Sequence, residues 1–405
     1  MPDILTVKIP AELLVMISTH MDYHDLRALV VTSRSICHLL LPEYLRRRGL
    51  VLKDASPGGS SVELRDLAGY ASLGFWSAVH VFQPPKEMYC SIPCGAQEAQ
   101  SAMSFLICFL LEPLNTYKLR DFHLSLHGSD PLLLTPEFIK MQRLFCALPL
   151  TRLCFSGYIS ADYIPPSITL RSGQSYASHS LTSFTISSDY AFTPGLVHAT
   201  LSILRYSPIQ SLAIYWVSLK PSQWSNLLGE LNMEVLEDIE FEGDIPRAAL
   251  IRFLTKTKGL KNIRIRCNTP SYHSRPIRSH CLSFLPNLLT LNAPLAVCCD
   301  IVERITNSSI LYRLEVGIRQ FYPQQPSFRH LLEILQRFQN LDHLGLQIVP
   351  SLPSPTSQAS PDDYIGDGFP THELRQIRTL SFSRGQNRLS PGDIVCSHCL
   401  SSHLS

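Results

Sequence analysis

A short pattern of apolar residues recurs along most of the chain. It has the form apolar-x-x-apolar-x-apolar, and Leu119, Phe122 and Leu124 match it at the start of a regular series. Because successive side chains of a strand point to opposite faces, each match predicts a short strand that buries one face. An earlier match at residues 76–81 is interpreted as a degenerate first unit. Later matches begin at intervals of 23 to 36 residues, at Leu150, Leu181, Ile209, Leu236, Leu260, Leu288, Leu311, Leu341 and Ile377.

The segments between these strands have the signature of helices. Apolar residues recur at intervals of three and four after Pro194, Ser222 and Pro246, and again from Phe328. Proline is favourable in a first helical turn, and serine is a good N-cap. One strand and one helix cannot bury their apolar faces alone, so each unit must pack against its neighbours. The pattern therefore predicts an α/β repeat solenoid.

Residues 9–48 follow a helical pattern instead. Pro10 suits the start of a first helix, Asp25 lies where a carboxylate favours the start of a second, and Ser33 can cap a third, which Pro42 is expected to interrupt. Three short helices are too few to bury all their apolar surface among themselves, so part of it must face the rest of the chain or a partner. Their apolar positions are Leu13, Leu14, Ile17, Met21, Leu26, Leu29, Val30, Ile36, Leu39, Leu40 and Leu41.

The order of residues in this segment resembles the F-box family. Ile9, Met21 and Thr32 depart from the Leu, Leu and Val of the family pattern. The matching positions are Pro10, Glu12, Leu13, Leu14, Ile17, Asp25, Leu26, Leu29, Ser33 and Arg34. With the repeats that follow, the chain is similar to F-box proteins with leucine-rich repeats. The resemblance implies an irregular leucine-rich-repeat horseshoe preceded by a small all-α, F-box-like three-helix module.

The ninth position of leucine-rich repeats is commonly Asn or Cys. By this resemblance only Asn268 meets the pattern, with Asp189 and Asp244 as polar substitutes. The repeats are therefore expected to be irregular.

The same patterns divide the chain into regions. Residues 1–50 are predicted to form the F-box-like helical module, and residues 51–61 a linker rich in Ser and Gly. Residues 62–395 are predicted to form the leucine-rich-repeat-like solenoid. Within it, residues 351–370, rich in Pro, Ser and Asp, are interpreted as a flexible insertion, and residues 396–405 as a tail.

The resemblance implies a substrate-recognition adaptor subunit of an SCF-type cullin–RING ubiquitin ligase. The F-box would dock the Skp-type linker protein, and the cullin through it, while the repeats bind a target protein. A non-ligase leucine-rich-repeat scaffold remains the alternative. The expected contacts with the Skp-type linker are Pro10, Leu13, Leu14, Ile17, Leu26 and Leu29.

Two neighbouring strands place acidic residues opposite basic ones on the face that is not buried. Adjacent strands of a sheet lie about 4.8 Å apart, so these side chains are close enough to pair. The rows are either a target-binding patch with both charges or a surface ladder of internal pairs. They consist of Asp238, Glu240 and Glu242 on one strand and Asn262, Arg264 and Arg266 on the next.

Composition narrows the function further. A formal net charge of +2 gives no electrostatic case for nucleic acid or an anionic membrane. The longest apolar run, residues 105–111, is too short to span a membrane. The N-terminus lacks the pattern of a secretory signal, so the twelve cysteines are expected to be reduced and the protein cytoplasmic, nuclear or both.

Candidate chemistry is sparse. Cys396, His398, Cys399 and His403 have spacing compatible with zinc, but they lie at the end of the chain, so no metal site is expected. The sequence contains no glycine-rich phosphate loop and no G-x-S-x-G motif. We therefore expect no catalytic residues and no cofactor, and predict that the protein is not an enzyme.

Overall fold

The computed structural model of the protein describes residues 9–53, 61–78, 85–127, 135–158, 178–193, 196–231, 233–266, 284–305, 310–319, 328–349 and 378–384. The chain divides into two compact units. The first consists of Met1–Ile209 with Trp216–Ser218, and the second of Gln210–Tyr215 with Leu219–Ser405. In each unit the strands form an open, mostly parallel sheet accompanied by helices, which confirms the predicted α/β class.

Three helices open the first unit: α1 (Ala11–His20), α2 (Tyr23–Val30) and α3 (Arg34–Arg47). The N-cap of α2 is Asp22, whose carboxylate accepts a hydrogen bond from a backbone N–H. Ser33 caps α3 as predicted. Pro42 was wrongly expected to interrupt this helix. The helix continues through it, because buried Leu41 and Leu45 hold the chain in the core on both sides.

The remaining elements of the first unit alternate between strands and helices. Strands β1 to β6 lie in chain order, with β1 and β2 antiparallel and the following neighbours parallel. The elements are β1 (Leu50–Lys53), β2 (Ser61–Leu64), α4 (Leu67–Ala78), β3 (Glu87–Ile92), α5 (Ala96–Leu111), α6 (Pro113–Thr116), β4 (Asp121–His127), α7 (Thr135–Ala147), β5 (Arg152–Tyr158), β6 (Ser183–Ser187), a 3-10 helix (Asp189–Phe192) and α8 (Val197–Tyr206).

Two sequence interpretations of the first unit differ from the observed structure. Residues 51–53, assigned to a linker, belong to strand β1, and residues 54–60 lie outside the described residues. The degenerate unit was placed wrongly, because Trp76 lies in helix α4, while Val79 and Val81 fall outside the described part. The parallel strand of this region is β3, which buries Met88, Cys90 and Ile92.

The second unit continues the alternation with parallel strands in chain order. Its elements are β7 (Ser211–Ile214), α9 (Pro221–Glu230), β8 (Asp238–Glu242), α10 (Arg247–Lys256), β9 (Asn262–Arg266), β10 (Thr290–Pro294), α11 (Leu295–Arg304), β11 (Arg313–Arg319), α12 (Phe328–Leu335), β12 (His343–Val349) and β13 (Thr379–Arg384). The helices expected after Pro246 and from Phe328 are both present.

The residues of the apolar pattern lie on the buried side of the strands in both units. In the second unit the middle position of the pattern is in register from strand to strand, as Ile239, Ile263 and Leu291 illustrate. Each of these three side chains is at most 3% exposed. In the first unit Phe122 and Leu153 form an equivalent buried row. The apolar positions of the sequence pattern are therefore the buried positions of these strands.

At the start of nine described strands, β4 to β6 and β8 to β13, one backbone carbonyl accepts two hydrogen bonds. The oxygen of Lys86 accepts hydrogen bonds from two successive N–H groups, those of Arg120 and Asp121, at 2.8 and 3.1 Å. The carbonyls of residues 120 and 151 repeat this arrangement in the first unit. The second unit repeats it at Gln210, Glu237, Lys261, Leu289, Tyr312 and Asp342. Strands β4 to β6 and β8 to β13 thus share one local hydrogen-bonding motif, whatever the length of chain between them.

Candidate functional site

Helix α1 has its apolar residues on the outside. Leu13 is 48% exposed, Met16 62% and Ile17 48%, and Ile9 just before the helix is also exposed. The residue of α1 that is buried is Ser18, whose hydroxyl donates to a backbone carbonyl one turn earlier at 2.7 Å. A helix usually buries its apolar side, so this reversed arrangement leaves an exposed apolar surface on α1.

Arg47, near the end of α3, holds the C-terminal end of α1. Its guanidinium donates to the carbonyl oxygens of Ser18 and Met21 at 2.6 and 2.7 Å. The same side chain pairs with Glu43 at 2.8 Å. Hydrogen bonds from Arg46 and Arg47 lower the pKa of the Glu43 carboxyl to about 2. The basic side chains at the end of α3 therefore include one, Arg47, that attaches α1 to this helix.

A pair of tyrosines joins α2 to α3. The hydroxyl oxygens of Tyr23 and Tyr44 lie 2.6 Å apart, and their rings are stacked. The guanidinium of Arg48 lies 4.7 Å from the centroid of the Tyr23 ring. Burial, followed by the hydrogen bond to Tyr23, raises the pKa of Tyr44 to about 12. These contacts fix α2 against the end of α3.

The residues expected to contact a Skp-type linker do not all reach the surface. Pro10, Leu13 and Ile17 are exposed, and Leu14 and Leu29 are half-buried. Leu26 is fully buried, because α2 packs this side of the helix into the core. The sequence analysis did not single out Met16 and Val31, although both are 62% exposed. Periodicity places a residue on a helix face but does not say what covers that face.

The charged rows of the second unit align as the sequence predicts, and Glu240 pairs with the basic row. The strand register aligns Asp238 with Asn262, Glu240 with Arg264, and Glu242 with Arg266. Glu240 lies 3.5 Å from the Arg264 guanidinium and 3.2 Å from that of Arg266. The amide of Asn262 donates to Asp238. Glu242 is buried.

This ladder extends along the same sheet. Thr290 donates to the side-chain oxygen of Asn262 at 2.6 Å, and Asn292 donates to Glu315. Glu315 also pairs with Arg313. The exposed face of the second unit therefore uses much of its charge and hydrogen-bonding capacity internally.

The corresponding face of the first unit carries a different group, which the sequence analysis missed. Tyr89 of β3 and His123 of β4 are in register, and their rings stack with centroids 4.4 Å apart. The Tyr89 hydroxyl donates to Glu87 at 3.2 Å, while Asp121 pairs with Arg152 at 3.1 Å. We call these five residues the Glu87 patch. The apolar pattern did not identify strand β3, because Pro85 stands at its first position, before Met88 and Cys90.

The Glu87 patch is partly shielded from water. Burial lowers the pKa of the His123 imidazole, although the carboxylates of Asp121 and Glu87 oppose this shift. His123 is therefore uncharged at neutral pH. Next to it in register, Cys154 has a pKa raised by burial to about 11, so its thiol stays protonated. This arrangement favours binding over nucleophilic chemistry.

The described residues were also compared with the requirements of a metal site and of a membrane-spanning helix. In the ranges that the structure describes, no group of three or more His, Cys, Asp and Glu residues could hold a metal ion. Within the same ranges, no helix combines the length and apolar character needed to cross a membrane. The predicted insertion at residues 351–370 and the cysteines of the 396–405 tail lie outside the described residues.

Comparison with known proteins found neither a matching family model nor a significantly similar curated protein.

Proposed function

We propose that the protein is a substrate-recognition adaptor subunit of an SCF-type cullin–RING ubiquitin ligase. The helices α1 to α3 form an F-box-like module that docks a Skp-type linker protein, and the linker connects the chain to the cullin. The strand-and-helix units form an irregular leucine-rich-repeat solenoid that binds the target. The chain supplies proximity rather than covalent chemistry, and it acts in the cytoplasm, the nucleus or both.

The exposed apolar side of α1 is the observation that carries this proposal. Leu13, Met16 and Ile17 are each about half exposed or more, while the same helix buries a serine. Docking on an apolar groove of a partner would remove these side chains from water, at about 25 cal/mol per Å² of apolar surface. The F-box pattern of residues 9–34 agrees with such a partner.

The repeated strand starts support the proposed repeats. Each uses one carbonyl for two successive N–H groups of the next strand. Asp189 supplies a second parallel, because its carboxylate accepts a hydrogen bond from the backbone N–H of Ser218 at 2.5 Å. Bonding of loop backbone is the role that the ninth position has in the family, where Asp189 was expected as a polar substitute.

Binding to a purified Skp-type linker protein tests the ligase half. We expect the intact chain to bind at micromolar concentration or tighter, and the double variant Leu13→Asp with Ile17→Asp to lose binding. Loss of buried anchors costs about 2 kcal/mol or more, roughly thirtyfold in affinity. Val235→Asp is the matched control, since Val235 is 50% exposed and lies outside the module. Absence of binding by the intact chain would refute the ligase role.

A non-ligase scaffold is the alternative. In that case α1 would cover an apolar surface of some other partner, and the chain would not copurify with a linker and cullin. Copurification of the intact chain, compared with the Leu13→Asp, Ile17→Asp variant, distinguishes the two functions.

A further inference from the structure

The exposed faces of the strands in the two units differ in how their carboxylates are paired. In the second unit, Glu240 pairs with two arginines, and Glu315 pairs with Arg313 and accepts from Asn292. In the first unit, Asp121 pairs with Arg152. Glu87 differs from these, because it accepts a hydrogen bond from a neutral phenol and forms no ion pair in the described part of the chain.

The surroundings of Glu87 suit one kind of ligand. The stacked rings of Tyr89 and His123 offer an apolar, polarisable surface beside the carboxylate. His123 is uncharged at neutral pH because burial lowers its pKa, so it does not repel a cation. Arg152, the cation of the patch, is already held by Asp121. A cationic side chain with a long apolar stem would meet both the charge and the rings.

We propose that the Glu87 patch binds an arginine presented by an extended segment of the target protein. Arginine fits better than lysine, because its planar guanidinium can bond a carboxylate through two N–H groups and also stack on aromatic rings. This inference rests on the proposed role of the sheets in target binding. It moves the expected target contact from the rows of Asp238 and Asn262 to β3 and β4.

Selection from a random peptide library displayed on phage, with the full chain as bait, provides the probe. We expect selected peptides to share an arginine, and replacement of this arginine by glutamine to weaken binding about tenfold. Replacement by lysine should weaken binding by a smaller factor.

The variant Glu87→Gln should weaken binding of the same peptides by a similar factor. It removes the charge but keeps an oxygen that can accept from the Tyr89 hydroxyl, so the fold is preserved. In a double-mutant cycle, Glu87→Gln should have no further effect on peptides that already carry glutamine. Glu240→Gln is the matched control, since it removes the same charge from the second unit.

Three results would overturn the proposal: selected peptides without a shared arginine, equal binding by wild-type and Glu87→Gln protein, or an equal loss with Glu240→Gln. Binding of the Skp-type linker should be unchanged by Glu87→Gln. Failure of linker binding alone would refute the ligase role and leave the Glu87 patch standing. If the linker binds but peptide binding does not depend on Glu87, the ligase role stands and the proposal for the Glu87 patch is refuted.

Discussion

The attachment of α1 through Arg47 leads to a quantitative prediction. An isolated helix as short as α1, which has 10 residues, is marginal in water, and its apolar side chains are exposed. It therefore depends on contacts such as those from Arg47 to the carbonyls of Ser18 and Met21. Hydrogen bonds from a charged donor contribute about 1.5–3 kcal/mol each, and less where water competes. The Arg47 side chain is 23% exposed, so we expect about 2 kcal/mol for both bonds together.

Replacing Arg47 with Met keeps an apolar stem of similar length and removes the donors. Amide hydrogen exchange in the intact chain measures the local opening of α1. A loss of about 2 kcal/mol corresponds to roughly thirtyfold faster exchange of the protected amides of the helix. Weaker binding of the Skp-type linker should follow, because part of its binding energy would be spent on ordering α1.

Arg46→Met is the matched control. Arg46 also pairs with Glu43, at 2.8 Å, but its side chain is 62% exposed and it has no bond to α1 in the described structure. We expect exchange in α1 to change little in this variant. Equal exchange rates in the wild type and in Arg47→Met, or an equal acceleration in both variants, would refute the proposed role of Arg47.

Three further predictions concern stability. Ile263→Ala should lower the free energy of unfolding of the second unit by about 2–5 kcal/mol, measured by denaturant titration. The control Arg264→Ala, at an exposed position, should lower it by less than about 1 kcal/mol. Similar values for the two variants would contradict the assigned faces. Gly157→Ala should destabilise the first unit by more than about 1 kcal/mol, because Gly157 has a φ of +132° and an added Cβ would lie 1.8 Å from the Leu126 carbonyl oxygen; unchanged thermal stability would contradict this geometry. The pKa of the Glu43 carboxyl is lowered to about 2 in the folded state, so its contribution to folding stability is present above about pH 4.5 and is lost as the pH falls towards 2. Over this range the stability of the wild type should fall more steeply than that of Glu43→Gln. Parallel stability curves would contradict the pairing.

The apolar positions of the repeats were predictable because strand geometry converts a period of two directly into burial. Ile263 and Leu291 are each 1% exposed, and the acid-to-base alignment of Glu240 with Arg264 follows from the same register. Such statements depend only on neighbouring strands starting in step. The pattern was sufficient wherever a leucine-like triplet opened the strand.

The other features of the fold and of the candidate site could not be predicted, because they depend on three-dimensional packing. Leu26 and Leu29 belong to one apolar stripe, yet only Leu26 is fully buried, since the stripe alone does not say how deeply a helix packs. Strand β3 was not predicted because proline, Pro85, stands at the first position of its apolar pattern, before Met88 and Cys90. As a consequence Glu87 and Tyr89, which alternate with these residues, were not considered as a site.

The shared carbonyl at the starts of β4 to β6 and β8 to β13 has a consequence for how such a chain can change in evolution. Strand alignment is set by adjacent N–H groups, such as those of Glu237 and Asp238 on the Gln210 oxygen, and not by the length of the connection. Inserted residues therefore cost mainly loop-closure entropy, about 0.6 kcal/mol for each doubling of loop length. Connections can lengthen or shorten and so acquire new surfaces, while a proline at either donating position would remove a strand's alignment. Variation should thus accumulate between the strands, whereas proline should be excluded from the two donating positions at which these strands begin.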